Sequence, residues 1–312
     1  MKNVFIVLLS LCFNSNLFAQ TENQKSMQDW EYPYEVHHIE LLDSTKIAYI
    51  DEGKGKCTLL FLHGLGSYLK AWTKNIEVLK EDYRCIAVDL PGYGKSSKKN
   101  EVSDMTFFAE TVRSFMDELK LKKVILVGHS MGGQTAMHTV LKSDQNIKKL
   151  ILIAPAGFET FTETESTWLQ SVYTAELIKA TTEEQIAKNF EINFFQMPDD
   201  ARFMIEDRLY MRQTAEYDDY CEMVPKCVKG MLDEPVFERL AEINIPTLVI
   251  YGENDYLIPN KYLHPTLTPI EVAKSGDERI AKSTLKMIPN AGHFVQWEQS
   301  EEVNNVILNF LK

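Results

Sequence analysis

The run Val124-Ile125-Leu126-Val127-Gly128-His129-Ser130-Met131-Gly132 constrains this chain more than any other. Four β-favouring apolar residues, Val124 to Val127, specify a buried parallel strand, because such strands are covered on both faces. From Gln134 to Lys142 the pattern turns helical. Strand, sharp turn and helix therefore meet at Ser130. A serine at such an apex is lifted clear of the sheet and faces the N-terminus of the following helix. Unpaired N–H groups and the positive end of the helix dipole favour a developing negative charge there. Glycines two before and two after Ser130 remove Cβ atoms that so tight a turn would not accommodate. An ordinary turn with a solvated serine would not require both.

At 312 residues the chain holds one large α/β domain or two modest ones. Its apolar fraction of 45% and charged fraction of 25% are those of a globular protein with a substantial core. The formal charge of -12 argues against nucleic acid and anionic membrane surfaces as partners, and serves solubility.

The first residues differ from the rest. Lys2, the apolar stretch Val4 to Phe13 and Leu17-Phe18-Ala19 read as a signal peptide over 1–19, too short to span a bilayer. Leu17 is a poor small residue three positions before the cut, which leaves the cleavage site open by a few residues. A retained N-terminal anchor is the competing reading. No other segment has the length and apolarity to span, so stable membrane insertion of the mature chain is not expected. Export to the periplasm or the medium would place Cys57, Cys85, Cys221 and Cys227 in an oxidising compartment. Cys57 and Cys85 lie in adjacent predicted strands and read as thiols. Cys221 and Cys227 would lie about 9 Å apart along one helix, too far to bridge. Pro225 should break that helix, which leaves a local disulfide open.

Taken in order, residues 20–33 read as a flexible leader. Tyr34 to Leu42 and Lys46 to Asp51 alternate as a hairpin around Asp43-Ser44. Buried strands follow at Thr58 to Leu62, Cys85 to Val88, Val124 to Val127 and Leu150 to Ile153, with helical spacing between them. That alternation implies parallel crossovers and an α/β fold: a mostly parallel central sheet flanked by helices. From 157 to 242 no buried strand run occurs, only helical pieces rich in Phe, Met and Tyr. This reads as a helical cap inserted over the sheet's carboxyl edge, dividing the core into 34–156 and 243–312. Strand pattern resumes at Thr247 to Tyr251 and Ser283 to Ile288, and Val303 to Leu311 forms a closing amphipathic helix.

A serine hydroxyl is a weak nucleophile until a base takes its proton and an acid orients that base. Asp255 lies in the loop leaving the Thr247 strand, and His293 in the loop after the last strand. Both loops leave the same sheet edge as Ser130, where open α/β sheets place their sites. The order Ser130, Asp255, His293 is the one this architecture uses. Glu253 competes with Asp255 but points away from His293 and into the sheet. Of the other histidines, His63 and His129 sit inside turn motifs where a structural hydrogen bond is the commoner use. Oxyanion donors are expected from the backbone N–H groups of Met131 and Leu65. No metal and no cofactor is expected.

At His63-Gly64-Leu65-Gly66, Asp89-Leu90-Pro91-Gly92-Tyr93-Gly94-Lys95-Ser96, the Ser130 elbow, Gly252-Glu253-Asn254-Asp255 and Gly292-His293 the chain resembles a capped member of the α/β-hydrolase superfamily. The match runs from about Glu35 to Leu311. Ser130 stands where haloalkane dehalogenases and most epoxide hydrolases carry aspartate, which argues against both. Ser130-Met131-Gly132-Gly133-Gln134 with Ala154-Pro155-Ala156-Gly157 is similar to monoacylglycerol lipases and to carbon–carbon bond hydrolases of aromatic degradation. The stretch from Pro259 to Lys282 is longer than that connection usually is.

These features together lead to a serine hydrolase of a small-molecule carboxylic ester with an apolar part. The apolar preference rests on Phe190, Phe194, Phe195, Met197, Phe203, Met204, Tyr210 and Met211, with Phe194, Phe195 and Met204 as the candidates for substrate contact. Two alternatives keep the same triad: a carbon–carbon bond hydrolase of a vinylogous diketone, and a perhydrolase or cofactor-free haloperoxidase. Export weighs against the first, since such diketones arise inside cells. A ligand-binding or signalling protein with an idle triad is the reading from another class. The sequence leaves the oligomeric state open.

Overall fold

Continuous apolar runs became inner strands, and alternating runs became edges. The computed structural model describes residues 25–98 and 102–312. The predicted hairpin is β1 (His37–Glu40) and β2 (Lys46–Glu52). Then come β3 (Thr58–Leu62), α1 (Thr73–Leu79), β4 (Arg84–Val88), α2 (Met105–Glu118), β5 (Val124–His129), α3 (Met131–Lys142) and β6 (Ile147–Ile153). An eight-stranded sheet runs in the order β1-β2-β4-β3-β5-β6, followed by β7 (Thr247–Gly252) and β8 (Ser283–Ile288). β1–β2 and β2–β4 pair antiparallel, while every pair from β4–β3 to β7–β8 is parallel.

Because side chains alternate across a strand, β5 feeds two apolar layers. Leu126 packs with Phe108, Val112, Phe115, Met137 and Leu150 on one face. Ile125 and Val127 pack with Trp72, Ile76, Leu79 and Ile151 on the other. Each such side chain, fully buried, contributes about 1.5–3 kcal/mol relative to exposure.

Between β6 and β7 lie α4 (Glu163–Val172), α5 (Ala175–Ala180), α6 (Glu183–Glu191), α7 (Phe203–Met211) and α8 (Tyr217–Asp233). Threonines start the first three: Thr162, Thr174 and Thr182 each accept a hydrogen bond from the backbone N–H three residues on. After β7 come α9 (Pro269–Asp277), inside the long connection noted above, then α10 (Val295–Glu298) and α11 (Ser300–Leu311).

Three expectations need correction or restriction. The signal peptide lies outside the described residues, but the leader's end is docked rather than flexible. Met27 and Trp30 are buried, Trp30 packs on Tyr68, and Ser26 donates to Glu216 at 2.5 Å. Two apolar anchors in a polar stretch carry no periodicity, so they gave no signal. Pro225 does not break α8. The helix runs on because Tyr220, Cys221, Val224, Cys227 and Val228 bury one continuous face, and tertiary burial outweighs a lost hydrogen bond. Cys221 and Cys227 are accordingly free thiols, as are Cys57 and Cys85. Burial pushes Cys85 and Cys227 up to about 12.

Candidate active site

At the end of β5 the backbone turns through Ser130 with φ 53° and ψ -119°, a conformation that L-residues adopt only under constraint. The constraint is visible in the flanking glycines. A Cβ on Gly128 would lie 2.3 Å from the Gly132 carbonyl oxygen, and one on Gly132 would lie 2.4 Å from that of Leu62. Ser130 is half-buried at the N-cap of α3, and its Oγ has no hydrogen-bond partner among the described residues.

The candidate base and acid meet. His293 Nδ1 and Asp255 Oδ2 are 2.7 Å apart, both side chains being almost fully buried. Asp255 Oδ1 accepts from the backbone N–H of Leu257 at 2.8 Å and of Ile258 at 3.0 Å. A carboxylate accepts only, so Nδ1 of His293 carries a proton, which in the neutral ring leaves the lone pair on Nε2. Glu253 is exposed, turned to solvent and not into the sheet.

His129 and His63 serve the framework. His129 Nε2 lies 2.9 Å from the carbonyl oxygen of His293, so that nitrogen donates. Its ring stands 4.8 Å from that of His293. Burial, then the neighbouring His293, push His129 well below the usual histidine range; it is neutral at pH 7. His63 accepts from Leu90 N–H at 3.0 Å and donates from Nδ1 to Gly64 O at 2.9 Å, fixing the turn that presents Leu65. A Cβ on Gly64 would lie 3.0 Å from that of Ser130, so this turn abuts the elbow. Neither Leu65 N–H nor Met131 N–H has an acceptor among the described residues, as oxyanion donors require.

Two cavities meet at Leu65 and Tyr173. One, of about 360 Å³, is lined by Phe190, Asn193, Arg208, Tyr220 and Phe294 among others. The other, of about 240 Å³, is walled by Leu169, Val228, Met231, Leu232, Phe237 and Leu257. Arg208 donates to Gly66 O at 2.5 Å, beside the Leu65 turn. Its guanidinium lies over the Phe190 and Tyr220 rings.

The expected contact residues are elsewhere. Phe194 and Met204 are buried in a cluster with Phe294 and Trp297, and Phe195 is 47% exposed. None of the three lines either cavity. Tyr173, Arg208 and Tyr220 do, and the sequence reading missed them. One signal existed for Arg208: with Met204 and Met211 it shares the i, i+4, i+7 face of α7, an arginine on an apolar stripe.

The inserted helices are stitched to both loops. Glu298 accepts from Phe195 N–H at 3.0 Å and Gln196 N–H at 2.6 Å, and also from Gly292 N–H at 2.8 Å. On the acid side, Asn260 N–H donates to Glu159 at 2.9 Å. His264 there stands between Glu159 at 2.5 Å and Glu165 at 3.3 Å. Among the described residues no cluster of three His, Cys, Asp or Glu side chains is arranged to hold a metal ion, and no helix is long and apolar enough to cross a membrane.

The family model described as alpha/beta hydrolase fold matches residues 58–300. This chain belongs to the α/β-hydrolase family. It is 30% identical to the 2-hydroxy-6-oxononadienedioate/2-hydroxy-6-oxononatrienedioate hydrolase of Escherichia coli, over 85% of this chain and 91% of that one. It is 28% identical to the dihydrolipoyllysine-residue acetyltransferase component of the acetoin cleaving system of Cupriavidus necator, over 86% of this chain and 67% of that one. Among solved structures, an esterase from Exiguobacterium antarcticum superposes with a TM-score of 0.74 at 24% identity, covering 88% of this chain and 99% of that one. With the family model and a hydrolase among its relatives, the chain is a hydrolytic enzyme.

Proposed function

We propose that the protein cleaves a carboxylic ester with an apolar moiety through an acyl-enzyme on Ser130. The hydrogen bond from His293 to the buried Asp255, at the edge where Ser130 is held in its strained turn, carries this reading. Ser130 attacks the carbonyl, and His293 Nε2 takes its proton and returns it to the leaving alcohol. Asp255 holds the tautomer and stabilises the imidazolium. Leu65 and Met131 N–H groups receive the oxyanion, and water then releases the acyl group. The residues 157–242 act as a cap whose apolar 240 Å³ cavity supports the apolar preference. Export after removal of 1–19 belongs to the same reading; the N-terminal residue of the mature protein tests it.

A second reading has specific support. The Escherichia coli relative is a hydrolase of a dienedioate, and Arg208 sets a cation in the larger cavity, where a carboxylate-bearing diketone would find a counter-charge. Turnover of p-nitrophenyl esters alongside a 2-hydroxy-6-oxo dienoate separates the two. A serine-directed phosphonate should label Ser130 under either. Labelling elsewhere, or turnover by Ser130→Ala, would remove the nucleophile assignment.

A further inference from the structure

We propose that Glu298 is a positioning residue that makes the placement of His293 depend on the docked cap. The proposal rests on His293 being the general base. Its observation is a single carboxylate shared between two loops that are about a hundred residues apart in the chain. One Glu298 oxygen accepts from Gly292 N–H, directly before His293, and from Phe195 N–H of the cap; the other accepts from Gln196 N–H of the cap.

The contact continues past the carboxylate. Phe294 N–H, directly after His293, donates to Asn193 O of the cap at 3.1 Å. The Phe194 and Phe294 rings stack with centroids 5.3 Å apart. A Cβ on Gly292 would stand 2.6 Å from Asn193 O, so only glycine lets the loops approach this closely. Both peptide N–H groups flanking His293 are thus satisfied by, or together with, the turn at 193–196. Asp255 fixes the ring and His129 the carbonyl. Further upstream Asn254 N–H donates to Ala291 O at 2.9 Å and Gln299 Nε2 to Asn290 O at 2.9 Å. The N–H of Gly292, the residue next to the base, is held among the described residues by Glu298 alone. Hydrogen bonds to a carboxylate are about twice as strong as neutral ones, which makes Glu298 a strong fastening of the amide directly before the base. Asn193 and Phe294 also line the larger cavity, so an occupant of that cavity presses on the same joint.

Loss of the carboxylate therefore loosens the base along with the cap. Misplacing a catalytic group by about 1 Å costs about 100-fold in rate. Glu298→Gln, which keeps the shape, should lower kcat about 10- to 100-fold. The loss should be as large for p-nitrophenyl acetate, which needs no cap wall, as for longer esters, with the acetate KM changed less than about threefold. A residue that merely shapes the cap would spare acetate. Hydrogen exchange on the wild-type protein gives a second measurement that needs no variant: the amides of Phe195, Gln196 and Gly292 should open together, with equal protection. Acetate kcat within threefold of wild type, or independent opening of the two loops, overturns the proposal. His293→Ala keeps the outcomes apart. If that variant still turns over acetate, the base assignment fails; if it is inactive while Glu298→Gln is not, only the role of Glu298 fails.

Discussion

Replacing Asp255 by asparagine sets two costs against each other, and the structure supplies both. With the amide oxygen kept toward Leu257 and Ile258, the amide nitrogen faces His293 Nδ1 and donates to it. The imidazole proton then moves to Nε2, the base has no lone pair toward Ser130, and turnover stops. The amide can instead flip, restoring the correct tautomer. It then places its NH2 against the two N–H groups that Asp255 Oδ1 accepts at 2.8 and 3.0 Å. At a residue only 2% exposed, each orphaned donor costs about 1–3 kcal/mol, or about 2–6 kcal/mol for the pair. Only the flipped fraction works, so kcat should fall between about 30-fold and about 10⁴-fold. Steady-state rates on p-nitrophenyl butyrate, normalised to active sites by phosphonate titration, measure this, with urea unfolding as the control for structure. A loss under tenfold, or a larger loss from Glu253→Gln, would refute the assignment of the acid.

Ser130→Gly should be more stable than Ser130→Ala by about 1 kcal/mol, because glycine relieves the left-handed backbone at that position; both should be inactive, and urea denaturation ranks them. Efficiency on p-nitrophenyl esters should rise about fourfold per added methylene, from about 0.8 kcal/mol each, until the apolar cavity fills. Leu169→Trp should move that optimum to shorter chains, and a flat profile from acetate to decanoate would reject the apolar preference. His129 has a folded pKa pushed down by burial, so below about pH 6.5 the unfolded chain takes up a proton that the folded one refuses. Stability is then lost as pH falls, by about 1.4 kcal/mol per unit for this one group. His129→Asn should lose correspondingly less between pH 6 and pH 5, as read from urea midpoints.

The parallel core was legible because its strands are uninterrupted apolar runs whose ends carry Ser130, Asp255 and His293. Such a pattern reports the layer a strand occupies and the edge its loops leave. It reports nothing about which of two loops will meet. The stitching through Glu298, Glu159 and His264 joins residues about a hundred or more positions apart in pairs that no local period encodes. The apolar residues of 157–242 misled for a related reason. Phe194 and Met204 have the composition of a binding wall, but they are buried against Ala71, Phe294 and Trp297, where the inserted segment packs on the rest of the fold. Pro225 failed as a stop signal because burial along α8 outweighed the local rule.

Fastenings at both the acid loop and the histidine loop bear on how this protein can be recombined with its relatives. In sequence residues 157–242 are one contiguous insertion between the neighbouring strands β6 and β7, and invite exchange as a cassette. The hydrogen-bond partners of this cassette lie outside it: Gly66 and Lys70 after β3, Gln134 on α3, Asn260 and His264 in the loop after β7, and Glu298 on α10. A foreign segment grafted at 157–242 would meet those partners with the wrong backbone, and would dock out of register with Ser130 and His293. A chimera that exchanges this segment therefore has to carry those partners with it.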